Sequence, residues 1–160
     1  MSSLTGNFLK DEEDTDDDFE YEHNLVCIAM SFKQEKSDEV YQIIKNSCKN
    51  VGLKAIRVDE YISSGIVLLK IAELIENAEF LIFDLTHERQ NVYYELGYAH
   101  GVGNRESDIL LIALEDTKLH YDIAGLHVHF YKSPEHLKSL LEKILPEMIH
   151  QSREGPLPSR

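Results

Sequence analysis

A regular alternation of short apolar runs with amphipathic segments constrains the fold of this chain more than any other feature. Three runs are apolar throughout and have the length of buried strands: 25–30, 80–83 and 109–114. Two further runs alternate apolar and polar residues, which predicts strands exposed on one face: 55–59 and 126–131. Apolar residues recur at helical spacing in four segments: 40–51, 67–78, 91–102 and 137–148.

The order of these segments predicts a parallel sheet with helices packed on both of its faces. Strands that are apolar throughout suit the centre of such a sheet, and alternating strands suit its edges. The strand order 2-1-3-4-5 places the two alternating strands at the edges. We therefore predict an α/β fold, a flavodoxin-like three-layer αβα sandwich with a parallel five-stranded sheet.

Charge is distributed unevenly along the 160 residues, whose net charge is −13. Residues 1–23 hold nine acids and one base, so they carry −8 of that charge and the remainder carries −5. We interpret 1–23 as an acidic, disordered arm, with a binding tail for a protein partner as the alternative. A single α/β domain is predicted over 24–150, and the loop-like composition of 151–160 predicts a flexible tail.

Composition also excludes several classes of function. The domain has no basic footprint for nucleic acid, no apolar run of the ~18 residues that span a membrane, and no signal-peptide core, so a cytoplasmic protein is expected. Cys27 and Cys48 lie in apolar segments and are predicted to be buried thiols. His127 and His129 share a strand face, but the sequence suggests no third ligand. No metal and no cofactor are predicted.

Ligands of open parallel sheets bind at the carboxyl ends of the strands, where the strand order reverses. Here that point lies between the first and third strands. The residues predicted to converge there follow these strands or begin the next helix: Ser31, Phe32, Asp84, Asn91, Tyr94 and Glu95. A Gly-rich phosphate loop is absent after the first strand, so Ser31, Lys33 and the amides of the first helix are the candidates for holding a phosphate.

Glu95 is the most informative of these residues. A carboxylate near a helix N-terminus is stabilised by the helix dipole, which predicts that Glu95 is ionised at pH 7. An ionised carboxylate beside a crevice suits a nucleophile or a stabiliser of an oxocarbenium ion. Asp84 is then a partner acid or holds a ribose or base edge. The alternatives are that Glu95 lies on a solvated face, that Asp84 caps a turn through Thr86, and that Asn91 is only the helix N-cap.

Five segments resemble one superfamily when they are taken together and in order. They are Met-Ser-Phe at 30–32, Arg-Val-Asp-Glu at 57–60, Phe-Asp-Leu-Thr at 83–86, Asn-Val-Tyr-Tyr-Glu-Leu-Gly-Tyr-Ala-His at 91–100 and Tyr-Asp-Ile-Ala-Gly-Leu at 121–126. Over about 25–149 the chain resembles the nucleoside 2-deoxyribosyltransferase-like and TIR-like superfamily, especially its small bacterial predicted nucleotide-binding members. The Glu-Leu-Gly-x-Ala pattern that begins at Glu95 is the most specific element.

The resemblance implies an enzyme that hydrolyses or transfers at the N-glycosidic bond of NAD, a nucleoside or a nucleoside monophosphate. It implies that Glu95 is the catalytic carboxylate and that Asp84 acts beside it. Ligand contacts are then expected from the other members of the site, namely Ser31, Phe32, Asp59, Asn91 and Tyr94. A homo-oligomer is also implied. Since TIR-like relatives include modules that only bind or assemble, a non-catalytic nucleotide sensor is the second hypothesis.

Overall fold

The computed structural model describes residues 22–31, 35–58, 67–87, 89–120 and 125–155. The strands are β1 (Glu22–Ala29), β2 (Lys54–Arg57), β3 (Ala78–Asp84), β4 (Ile109–Leu114) and β5 (Val128–Tyr131). The α-helices of these ranges are α1 (Ser37–Asn50), α2 (Val67–Asn77), α3 (Gln90–Gly101) and α4 (Pro134–Glu154), and a short 3-10 helix spans Glu106–Asp108.

The strands form one parallel sheet in the order β2-β1-β3-β4-β5, which confirms the predicted flavodoxin-like topology. Strands β1, β3 and β4 are buried on both faces over 25–29, 80–84 and 110–113, whereas β2 and β5 at the edges are partly exposed. This contrast confirms the reasoning from sequence, because a central strand of a parallel sheet is covered by helices on both sides.

Alternate residues of the strands bury their side chains in two separate cores. Val26 and Ile28 of β1 pack with α1 and α4 on the face that we call the α1/α4 face. Cys27 and Ala29 pack with α2 and α3 on the opposite face, the α2/α3 face. Cys27 and Cys48 are both buried free thiols, as predicted, and burial raises the pKa of each.

Two helix boundaries differ from those predicted. Helix α3 begins at Gln90 with Arg89 in the N-cap position, so Asn91 is an exposed helical residue and not the cap. Helix α4 continues through Glu154, four residues into the segment for which the sequence predicts a flexible tail. The extra turn is held by tertiary contacts that composition does not reveal.

Those contacts form a polar cluster of Asn24, Glu79 and Arg153 at the amino-terminal end of the sheet. Arg153 of α4 donates from Nε to Glu79 Oε1 at 2.8 Å and from Nη2 to Asn24 Oδ1 at 2.7 Å. The Asn24 amide donates to Glu79 Oε2 at 2.6 Å. Burial opposes ionisation of Glu79, but Arg153 and the Asn24 amide outweigh it and lower the pKa of this carboxyl below its usual value.

Replacing Arg153 by Met should lower the free energy of unfolding at pH 7 by about 1 kcal/mol, because it removes a partly buried ion pair. The effect should fade with acid. The lowered pKa of Glu79 means that its stabilisation is present above its unfolded pKa and is lost as the pH falls through its folded pKa. Urea unfolding at pH 7 and pH 3 tests this, with Lys143→Met, an exposed change on the same helix, as the control. A difference that persists at pH 3 would contradict the assignment.

Within the described ranges, no helix has the length and apolar character that crossing a membrane requires. Residues 1–21 of the predicted acidic arm lie outside those ranges, while Glu22 and His23 begin β1.

Candidate functional site

Asp84 ends β3 with its carboxyl group on the α1/α4 face of the sheet. Its Oδ1 accepts hydrogen bonds from the amide of Thr86 at 3.0 Å and from the Thr86 hydroxyl, and its Oδ2 accepts from the Tyr131 hydroxyl at 3.0 Å. The Thr86 hydroxyl oxygen accepts from the Leu114 amide at 2.9 Å. Asp84 therefore joins the carboxyl ends of β3, β4 and β5, so the turn-capping role through Thr86 is present in the structure.

Burial dominates the electrostatics of this network. Asp84 is only 4% exposed, and desolvation raises the pKa of its carboxyl although the bonds from Thr86 and Tyr131 act in the opposite direction. Desolvation and the nearby Asp84 carboxyl also raise the pKa of Tyr131. Both carboxyl oxygens of Asp84 accept hydrogen bonds from these neighbours.

A cavity of about 260 Å³ opens beside Asp84 on this face, and we call it the α1/α4 cavity. It lies where the carboxyl ends of the strands meet the first turns of α1 and α4. Its lining comes from these ends and turns: Met30, Ser31, Glu35, Lys36, Ser37, Val40, Asp84, Thr86, His87, Leu114, Tyr131, Lys132, Ser133 and Pro134.

Glu95 lies on the other face of the sheet. It belongs to α3, is 8% exposed, and is close enough to Cys27 of the α2/α3 core for its charge to raise the pKa of that thiol. No hydrogen bond or ion pair from another described residue reaches its carboxyl group. Burial alone raises the pKa of Glu95 to about 7.

This raised pKa differs from the expectation that Glu95 is ionised at pH 7, because it brings the titration of the carboxyl group close to neutral pH. The physical reason is that removal of the carboxylate from water costs more free energy than its interaction with the partial charge of the helix N-terminus provides. Such a carboxyl can hold or release a proton near neutrality, which is the range in which general acids and bases work best.

Glu95 borders a small depression between α2 and α3, which we call the Glu95 depression. Its volume is about 180 Å³, and its walls are aliphatic and aromatic: Leu69, Ile71, Ala72, Ile75, Tyr94 and Tyr98. Leu69 and Tyr94 are 64% and 59% exposed. Tyr98 donates a hydrogen bond to Glu76 of α2, which ties the two helices together.

The structure brings together only some of the residues predicted to converge. Ser31 and Asp84 line the α1/α4 cavity, whereas Tyr94 and Glu95 line the Glu95 depression across the sheet. Asn91 is exposed and lines neither cavity. Phe32 and Asp59 lie outside the described residues.

Tyr131 and Tyr98 are candidate site residues that sequence reasoning missed. The alternation in β5 predicts Phe130 inside and Tyr131 outside, but Tyr131 is 3% exposed and Phe130 is 44% exposed. Tyr131 can be buried because its hydroxyl group donates a hydrogen bond to Asp84. The signal available was an aromatic residue at 131, in a set whose other members, His127 and His129, are polar, but this signal does not reveal the partner 47 residues away.

The rings of His127 and His129, at the edge strand β5, stack on each other with their centroids 4.3 Å apart. Desolvation, followed by the neighbouring His127, lowers the pKa of His129. Across the described ranges, no group of three or more His, Cys, Asp or Glu residues has the arrangement of a metal site.

Neither a protein-family model nor a curated protein sequence matches the chain. Solved structures do resemble it. A prokaryotic SEFIR domain is 16% identical, with a TM-score of 0.58, over 85% of this chain and 98% of that one. A CMP N-glycosidase from Clostridium botulinum is 14% identical, with a TM-score of 0.55, over 72% and 98%.

A flavo di-iron protein mutant from Thermotoga maritima is also similar, at 14% identity and a TM-score of 0.60, over 81% of this chain. The chain spans only 37% of the length of that protein. At such identities the comparisons establish the fold. The chain has a flavodoxin-like α/β fold that is structurally similar to a CMP N-glycosidase and to a prokaryotic SEFIR domain.

Proposed function

We propose that the protein hydrolyses or transfers at the N-glycosidic bond of a nucleotide-type substrate, with Glu95 as the catalytic carboxyl group. The observation that carries this proposal is the state of Glu95, a buried acid with a pKa of about 7 at the edge of an open depression. A buried titratable group beside a concavity is typical of functional sites, because an unpaired buried carboxyl costs stability that packing alone does not require.

The surroundings of Glu95 suit a nucleoside. Tyr94 and Tyr98 offer aromatic surfaces on which a base can stack, and Leu69 and Ile71 add apolar surface. The ionised carboxylate would stabilise or capture the ribosyl cation that forms as the bond to the base breaks. A cationic ribose beside Glu95 would itself favour the ionised form of the carboxyl group.

In this proposal Asp84 does not act as a second acid beside Glu95. Its oxygens bind Thr86 and Tyr131 on the opposite face of the sheet. We propose that Asp84 positions the strand ends that border the α1/α4 cavity. The similarity to a CMP N-glycosidase, together with the sequence pattern around Glu95, supports the reaction class, and it leaves NAD, nucleosides and nucleoside monophosphates as the substrates to compare.

Base release from these three classes tests the proposal. The purified protein is incubated with each compound, and the free base is measured by chromatography. For the compound that is turned over, kcat/KM should rise with pH and level off above about 7, because the ionised fraction of Glu95 rises through its pKa. Below about pH 6 the decrease should approach tenfold for each pH unit. A flat profile between pH 5 and 8 would contradict a role for the Glu95 carboxylate.

A non-catalytic nucleotide-binding or assembly module is the second candidate. It is favoured by the similarity to a SEFIR domain and by the exposed Leu69 and Tyr94 at the rim of the Glu95 depression. This candidate predicts that a nucleotide raises the melting temperature while no base is released on long incubation. Release of base that depends on Glu95 would exclude it.

A further inference from the structure

His127 and His129 form a pair of imidazoles at the open edge of the sheet. Strand β5 is the last in the strand order, and among the described strands it pairs with β4 alone. His127 directly precedes β5 and His129 lies in it, and their rings stack with centroids 4.3 Å apart. Because His127 is exposed and His129 is half-buried, solvent reaches both rings.

The ring nitrogens of this pair are available to a ligand. Within the described ranges, neither ring has a hydrogen bond or an ion pair, and each contacts the other. Histidine is the commonest metal ligand in proteins, and imidazole suits zinc, copper and nickel. Residues two apart on an extended chain project to the same face, so His127 and His129 can share one ion, with a nitrogen of each ring about 2 Å from it.

One chain supplies only two of the four ligands that such an ion takes. His127 also lines a cavity of about 420 Å³ together with His100 and Glu106. Yet no group of three or more His, Cys, Asp or Glu residues is arranged as a metal site in the part of the chain that the structure describes. Structural zinc sites are almost always four-coordinate, so a stable site needs ligands from a second molecule.

Strand β5 has the features of an edge that can pair with a second copy of this chain. Proteins protect open edges with lysines, other charged side chains and prolines, and the segment 126–131 contains none of these. Val128 and Phe130 alternate with the histidines and therefore occupy the opposite face of the strand. Phe130 is 44% exposed, which leaves apolar surface for a partner on that face.

We propose that His127 and His129 are one half of a metal site, which binds a divalent ion that prefers imidazole, such as Zn²⁺, between the β5 edges of two copies. A two-fold antiparallel pair centred on Val128 sets His127 of each copy opposite His129 of the other. Opposite residues have Cβ atoms about 5 Å apart, so this pairing gathers four imidazoles on one face. The ion also offsets part of the repulsion between chains that each carry a net charge of −13.

Light scattering and zinc titration of the tag-free full chain test the proposal. Zinc should double the mass of the particle that is present in EDTA, with one ion bound for every two chains. The double variant His127→Gln/His129→Gln should lose both effects. Phe130→Lys retains the imidazoles but places a charge on the pairing edge, so its apparent Kd for zinc should rise at least about tenfold. His150→Gln, which removes an exposed histidine of α4, is the matched control and should behave like the wild type.

The other outcomes would overturn the proposal. A mass increase that persists in the double variant would mean that zinc associates the chains through other groups. Zinc binding by the wild type at one ion per chain, with no change in mass, would rule out the second copy. Loss of binding in His100→Gln would place the missing ligand within one chain. Melting temperatures in EDTA show whether each variant is folded, and the single change His127→Gln, at the exposed position, replaces the double variant if that one unfolds.

Discussion

Glu95→Gln should reduce base release by at least about a hundredfold, since it removes the charge that stabilises the ribosyl cation while it preserves the shape of the side chain. The same change should stabilise the protein at pH 8. Loss of activity with gain of stability is the signature of a residue retained for its chemistry and not for packing.

The gain in stability follows from the raised pKa of Glu95. At low pH, both the folded and the unfolded chain hold the proton, and the carboxyl group has no effect. As the pH rises above 4.5 the unfolded chain ionises first, so stability falls, and the loss is complete above about pH 7. Glutamine removes this loss, which amounts to about 3 kcal/mol at pH 8 and almost nothing at pH 4.

Urea unfolding at pH 4 and pH 8, together with base release at pH 8, measures both effects on one preparation. Glu73→Gln is the control, because Glu73 is an exposed acid on the neighbouring helix α2. Equal activity in Glu95→Gln and the wild type would refute the catalytic assignment. An unchanged stability difference between the two pH values would refute the burial of the charge.

Asp84→Ala should destabilise the protein by about 2–3 kcal/mol, the second large effect that we expect. It leaves the Tyr131 hydroxyl and the Thr86 amide without their acceptor inside the protein. Tyr131→Phe alone should cost about 1 kcal/mol, because it removes one hydrogen bond. The double variant should cost less than the sum of the two single variants, since the removed partners no longer need each other.

This cycle separates two roles of Asp84. A structural role predicts the coupling with Tyr131 in equilibrium unfolding whether or not a ligand is present. A variant Asp84→Ala that is as stable as the wild type but has lost turnover would instead restore the predicted role of Asp84 as a partner acid.

Much of the fold could be predicted because hydrophobic periodicity is a local property. The apolar run 109–114 predicts a central strand, and the alternating run 55–59 predicts an edge strand, and the observed strand order agrees with both. Helix ends were harder to predict. Asn91 is a good cap by composition, yet α3 begins one residue before it. Helix α4 extends to Glu154 because Arg153 pairs with Glu79 at the amino-terminal end of the sheet.

The pattern around Glu95 predicts a site at this residue, because the sequence places it in the first turns of the helix that follows β3. Its protonation could not be predicted, since the pKa depends on side chains of α2 and of the sheet that exclude water from it. Only the tertiary structure decided that Asp84 and Glu95 face opposite sides of the sheet, because that depends on strand parity and on where each helix packs. The sequence thus determined the helices and strands and the place of Glu95 among them. Three-dimensional packing determined the pKa of Glu95 and which side chains surround it.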